Sequence, residues 1–160
     1  MKIDQTDVPP GTLIAEYAAR AGHYADCFEA PCAHDARLAD YIAAFYTQPL
    51  FRAERLVLRV LARAPSTDAD VAALAADEAT QFAVWRVEGR TPSELLMADK
   101  GGRTMSWLAL GAGVARFGSV VVPVPGRGGK PTLGPVFQSL LGAHKVYSRA
   151  LLAGAVRRLP

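Results

Sequence analysis

The residues from Gly134 to Arg158 form the longest periodic stretch of the chain and constrain most strongly what it can fold into. At about 100° per residue, Gln138, Lys145, Arg149 and Val156 fall on one side. Val136, Leu140, Ala143, Tyr147, Leu151 and Gly154 fall on the other. The pattern predicts an amphipathic helix of about six or seven turns, long enough to cross a small domain. An apolar side of that length must be covered, so the rest of the chain has to supply a surface that matches it.

The middle of the chain has the right period for such a surface. Phe82 to Glu88 reads as a strand, and so do Glu94 to Asp99 and Thr104 to Leu110. Lys100-Gly101-Gly102-Arg103 joins the last two, and a Gly-Gly pair supplies the positive φ angles of a tight hairpin. Arg116 to Val124 is a further strand, rich in β-branched residues, with Gly118 as a candidate bulge. His23 to Ala30 alternates and forms a first strand, closed by Pro31.

Helices separate that first strand from the others. From Asp35, Leu38, Ile42 and Phe45 recur at helical spacing beside Tyr41, and Pro49 stops the run. A second helix covers about Leu50 to Arg63 and ends before Pro65. Thr67 or Asp68 can cap a short third helix, Ala69 to Ala76. Residues 1–11, ending in Pro9-Pro10-Gly11, read as a mobile leader, and residues 12–160 as one domain. The fold class is therefore α+β: a curved antiparallel sheet gripping a long C-terminal helix, with a helix pair after the first strand. The concave space between sheet and helix is the natural place for a ligand.

Composition narrows the function classes. With 51% hydrophobic and 21% charged residues the chain is not a disordered one. No uncharged run reaches the ~18 residues of a membrane span, and Pro131 to His144 comes closest. The acidic start, Met1 to Asp7, is not that of a signal peptide. These features predict a cytoplasmic protein without stable membrane insertion. Charge divides unevenly: residues 1–99 carry −6, and residues 100–160 carry +9 with no acid at all. The two parts either neutralise each other by packing together or leave the C-terminal part open to an anionic ligand or acidic surface. The basic residues are scattered and no basic run is interleaved with aromatics, which speaks against nucleic acid.

Several motifs fail on inspection. Gly126-Arg127-Gly128-Gly129-Lys130 lacks the Walker pattern, because Pro131 follows the lysine. It reads as a flexible connection or as a lid over a pocket mouth. Cys27 and Cys32, flanked by His23 and His34, are too spread on a strand to converge on a metal, so we expect reduced thiols and no metal. No Gly-x-Ser-x-Gly elbow is present, and no cofactor motif. Arg52, Arg55, Arg59 and Arg63 form a stripe along the second helix, read as a solvated face or an anion contact.

Candidate ligand-binding residues remain. Glu54 falls among Leu50, Val57, Leu58 and Leu61, where a carboxylate must be paired, protonated or wet. Its pairing partner would be an arginine of the sheet such as Arg86, or else it serves a pocket. Tyr147 is central to the apolar side of the last helix and His144 flanks it; together they can orient a carbonyl or move a proton. Trp85 and Trp107 serve either the core or a stacked ligand. No residue is assigned a catalytic role at this level.

The strings His23-Tyr24-Ala25-Asp26-Cys27-Phe28, Ser106-Trp107-Leu108 and His144-Lys145-Val146-Tyr147-Ser148-Arg149, taken with the element order, resemble the START / polyketide-cyclase-like helix-grip superfamily. Within it, the chain is similar to a bacterial family that carries only the description of a domain of unknown function. The resemblance spans most of residues 20–158. It implies a cavity for apolar small molecules and no shared catalytic residues. Five clear strands, against the six or seven usual there, predict a reduced sheet and cavity. The function expected is the binding of an apolar small molecule, with an acidic group as an option. The alternatives are an enzyme of cyclase, dehydratase or isomerase type in the same cavity, and an interaction module with a filled core.

Overall fold

The computed structural model describes residues 1–53, 55 and 65–160, apart from the side chains of Arg127 and Val136. Seven strands form one antiparallel sheet in the order β1-β2-β7-β6-β5-β4-β3. They are β1 (Asp4–Thr6), β2 (Tyr24–Pro31), β3 (Gln81–Phe82), β4 (Trp85–Arg90), β5 (Glu94–Asp99), β6 (Thr104–Gly111) and β7 (Val114–Val121). The five strands read from the sequence are all present. The two extra ones lie at the edges. β1 comes from the segment assigned to a mobile leader and pairs with β2 from Asp4↔Glu29 to Thr6↔Cys27. β3 is the first arm of a hairpin that the sequence reading merged into one strand. The sheet is therefore not reduced.

β2 and β7 are neighbours although most of the chain lies between them. Their pairing joins the first long strand to the last strand of the sheet and carries α2 (Leu38–Thr47) and α3 (Asp68–Ala75) over one face. Thr67 caps α3: its hydroxyl accepts from the Asp70 N–H, and the Asp70 carboxylate accepts from the Thr67 N–H. Residues 49–53 are helical. The expectations for Glu54, Arg59 and Arg63 fall outside the described residues. Arg55 is described and corrects the solvated stripe: it is buried, with its guanidinium on Ser66 and 2.7 Å from Asp68. Asp68 neutralises it from the next element, which spacing within one helix could not show.

Gly118 is not a bulge. The β2–β7 and β6–β7 registers run through it unbroken, and the irregularity lies at Val87/Gly89 between β4 and β5. A Cβ at Gly118 would stand 2.9 Å from the Asp26 carbonyl oxygen and 3.0 Å from the Trp107 ring. Glycine is needed there for close packing rather than for a kink.

Both faces of the sheet are buried. On the face that carries the helices Phe28, Leu95, Met97, Leu108 and Phe117 pack against Tyr41, Ile42, Phe45 and Leu74. On the opposite face Cys27, Leu96, Ala98, Trp107 and Val120 pack beneath Ile14, with Val8, Leu13 and Tyr17 around it. The N-terminal arm and the single turn α1 (Ala15–Ala18) thus cover the back of the sheet. Burial on both sides explains why these strands read as apolar runs rather than clean alternations.

The long helix α4 (Pro135–Val156) crosses β2 and β7 and packs on α2. Its inward face is turned from the one read off the sequence by about one residue step, ~100°. Ser148, Leu151, Leu152 and Ala155 are buried, whereas Leu140 is 55% and Val146 68% exposed. Alanines and glycines spread the apolar signal over more than half the circumference, so the period is clear and the phase is not. Arg149, placed in water by the sequence, lies 4.7 Å over the Phe28 ring.

Candidate functional site

Between α4 and the sheet lies a chamber of about 320 Å³. Phe45, Phe51, Phe117, Phe137 and Leu151 supply most of its apolar wall. A wider cleft of about 660 Å³ adjoins it, bounded by Arg103, Val124, Leu133 and Leu140. Phe137, His144 and Tyr147 line both spaces, so they stand where one opens into the other. The Gly-rich segment folds as a small hairpin, β8 (Val124–Pro125) with β9 (Pro131–Thr132), beside the cleft mouth.

The polar groups of the chamber come from a cross-strand row and from one face of α4. Asp26 on β2 is opposite Ser119 on β7, and Ser119 is opposite Ser106 on β6. Strand alternation puts Asp26 on the inward face with Phe28 and Ala30, where a carboxylate is only 3% exposed. It is fully provided with donors. Its Oδ1 accepts from the Ser119 N–H at 3.1 Å and the Ser119 hydroxyl at 2.5 Å. Its Oδ2 accepts from the Tyr24 hydroxyl at 2.8 Å and lies 3.1 Å from His144 Nε2. Burial pushes the Asp26 carboxyl up, but hydrogen bonds from His144, Ser119 and Tyr24 outweigh it and hold it below the ordinary carboxylate range. Burial and the Asp26 carboxylate push the Tyr24 hydroxyl well above its usual value.

An ionised Asp26 only accepts, so the proton between it and His144 belongs to Nε2. A neutral His144 then keeps a lone pair on Nδ1, which has no hydrogen bond among the described residues. Asp, His and Ser are adjacent here, yet they are not a nucleophilic triad. Ser119 Oγ is 3.0 Å from the same Nε2 that faces Asp26, and its own proton goes to Asp26. A triad needs the serine and the acid on opposite ring nitrogens.

Two more polar atoms matter. Ser148 is wholly buried, and among the described residues neither its Oγ nor the buried Trp85 Nε1 has a hydrogen-bond partner. Both residues line the chamber. His144 and Ser148 are one turn apart on the same face of α4.

The structure thus brings together three of the residues singled out from the sequence: Trp85, His144 and Tyr147 line the chamber. Trp107 does not join them. It sits on the opposite face of the sheet, fully buried beneath Ile14, with its Nε1 donating to Glu94 Oε2 at 2.8 Å. Glu54 lies outside the described residues, and Arg86, its suggested partner, pairs with Glu88 at 3.0 Å. Asp26, Ser119 and Ser148 were missed. The available signal was an aspartate in phase with Phe28 and Ala30 on a strand, a charge on the buried side.

Cys27 is buried and Cys32 half-buried, both as free thiols, and burial raises the pKa of each. Among the described residues no cluster of His, Cys, Asp or Glu could hold a metal, and no helix is long and apolar enough to cross a membrane. Neither a family model, nor a curated protein, nor a solved structure matches the chain.

Proposed function

We propose that the protein binds an apolar small molecule in the chamber between the sheet and α4, in the manner of a helix-grip domain. One observation carries the reading: a chamber of about 320 Å³ lies between the sheet and α4, lined by Phe45, Phe51, Phe117, Phe137 and Leu151. The aromatic wall shields the hydrocarbon of a guest from water. The order of strand, helices, antiparallel sheet and gripping helix is consistent with the superfamily resemblance.

Arg103 at the cleft mouth extends the reading to a guest with an acidic end. Among the described residues, Arg116 with Glu29 is the one ion pair between a C-terminal Lys or Arg and an acid. The basic C-terminal part is thus largely left over for an anionic group. We place the protein in the cytoplasm as a small-molecule binder, without nucleic acid as a partner and without insertion in a membrane.

Native mass spectrometry of protein purified from its own host tests the reading. The expected result is a non-covalent adduct that is lost on denaturation and is reduced in Leu151→Trp, which places extra bulk in the chamber. Protein that carries no adduct, and takes none up from a panel of apolar ketones and acids, would favour a module whose core is simply imperfectly filled.

A further inference from the structure

We infer that the cleft mouth docks on the surface of an anionic lipid bilayer, through the exposed first half of α4, the β8–β9 hairpin and Arg103. The inference goes beyond the binding reading above and does not depend on it.

The surface is apolar where a helix in water is normally charged. No described side chain from residue 122 to residue 147 is buried. Within α4, every exposed residue from Pro135 to Ala150 is uncharged, whereas the solvent side of a globular helix usually carries charge. Leu140 and Val146 are each more than half exposed. Leu140 lines the cleft together with Leu133 and Phe137, and Val124 of the hairpin belongs to the same lining. The cleft residues form one apolar area rather than scattered spots, which marks a contact surface.

The charge around it has one sign. Residues 100–160 contain no acid. Arg103 is exposed and lines the cleft, Lys130 is exposed in the hairpin turn, and Lys145 flanks the uncharged side of α4. None of the three forms an ion pair among the described residues. Two acids of the N-terminal part lie beside the surface, and both are occupied. Asp26 is buried and hydrogen-bonded at both oxygens. The Asp99 carboxylate accepts from the Arg103 N–H at 2.8 Å and from the Thr104 hydroxyl at 2.9 Å. Anionic headgroups supply the missing counter-charge, and the acyl boundary beneath them takes the apolar residues. Leu140 and Val146 point about 120° apart around the helix, so a fluid layer that closes around it covers both. A second copy in a two-fold contact would set bases against bases. The contact is peripheral, since no helix among the described residues is long and apolar enough to cross the layer.

Cosedimentation of the full chain with vesicles tests the inference. The vesicles are phosphatidylcholine alone, or phosphatidylcholine with phosphatidylserine as about a third of the lipid. The protein should sediment with the mixed vesicles and stay in solution with phosphatidylcholine alone. Salt at about 1 M, where the screening length is about 3 Å, should release it. Leu140→Glu with Val146→Glu should weaken binding roughly tenfold or more, by removing apolar contact and adding like charge. Arg103→Gln with Lys130→Gln should weaken it roughly twentyfold, about fivefold for each base. Ala112→Glu, in the exposed turn at the other end of β6 and β7, should bind as the natural protein does. All substituted residues are outside the core, and circular dichroism checks that each variant keeps the fold. No sedimentation with the mixed vesicles overturns the inference and leaves the binding reading standing. Equal sedimentation with both lipids, or equal loss in Ala112→Glu, also overturns it. A dimer in analytical ultracentrifugation that Leu140→Glu with Val146→Glu dissociates, without vesicle binding, overturns it in favour of a second copy of the chain.

Discussion

Asp26 and His144 lie 118 residues apart in the chain, and Asp26 Oδ2 is 3.1 Å from His144 Nε2. The contact ties the first long strand to the last helix at the point where the chamber opens into the cleft. Asp26 is the more deeply buried partner and accepts four hydrogen bonds, so the two residues are unequal in what they cost to remove. Asp26→Asn should lower stability by about 3 kcal/mol or more, as breaking a buried charged pair does. His144→Gln should cost less, because Tyr24 and Ser119 still satisfy the carboxylate. Urea unfolding of both variants at neutral pH checks the order, and a larger loss in His144→Gln would refute it.

The same carboxyl sets a pH dependence. Its folded-state pKa is held down, so the stability it contributes is present above the unfolded-state value of about 3.9 and is lost as pH falls through the folded-state value. The gap in unfolding free energy between the natural protein and Asp26→Asn should be widest near neutral pH. It should narrow below about pH 4. A gap that stays constant down to the acid transition would show that Asp26 is not the titrating group.

Trp107 leads to a prediction about the back of the sheet. Glu94 Oε2 accepts from the Leu13 N–H at 2.8 Å and from Trp107 Nε1 at 2.8 Å, which clips the N-terminal arm to β5 and β6. Glu94→Ala leaves both donors unpaired and should cost about 1–3 kcal/mol. Residues 8–18 should then exchange their amide protons faster and be cut sooner by protease. Uptake of a guest by the chamber should be unchanged, since the sheet lies between. Impaired uptake with an intact arm would return Trp107 to the binding site.

How much of this was legible in the sequence differs by element and for physical reasons. β5 was read with its observed bounds, Glu94–Asp99, because a Gly-Gly turn marks its end. Of the two cap candidates for α3, Thr67 and Asp68, the structure uses Thr67, a choice narrowed to neighbours because capping is local. The side of the sheet taken by Trp107 was not readable: with both faces buried, Ser106, Trp107 and Leu108 give no alternation to set the phase. The phase of α4 failed in the same way, through its many small residues. The Asp26–His144 contact depends on β2 pairing with β7, a long-range closure with no local signature. What could be seen was its trace, a charge on the buried phase of a strand.

The phase of α4 gives the last prediction, which compares two neighbouring leucines. Leu151 is 2% exposed but lines the chamber, whereas Leu152 is fully buried and does not line it. Truncating a leucine costs the lost transfer energy plus a term for the cavity left behind, and the second part depends on how much matter surrounded the side chain. Leu152→Ala should therefore cost about 3–5 kcal/mol, near the upper part of the known range. Leu151→Ala already borders open space and should cost about 2 kcal/mol, near the lower end. A guest with extra bulk should fit Leu151→Ala at least as well as the natural protein, while Leu152→Ala gains no room in the chamber. Leu140→Ala, on an exposed flank, should stay within about 0.5 kcal/mol. If Leu140→Ala costs more than Leu151→Ala, the helix is seated by the phase that the sequence pattern suggests, and the chamber wall described here is wrong.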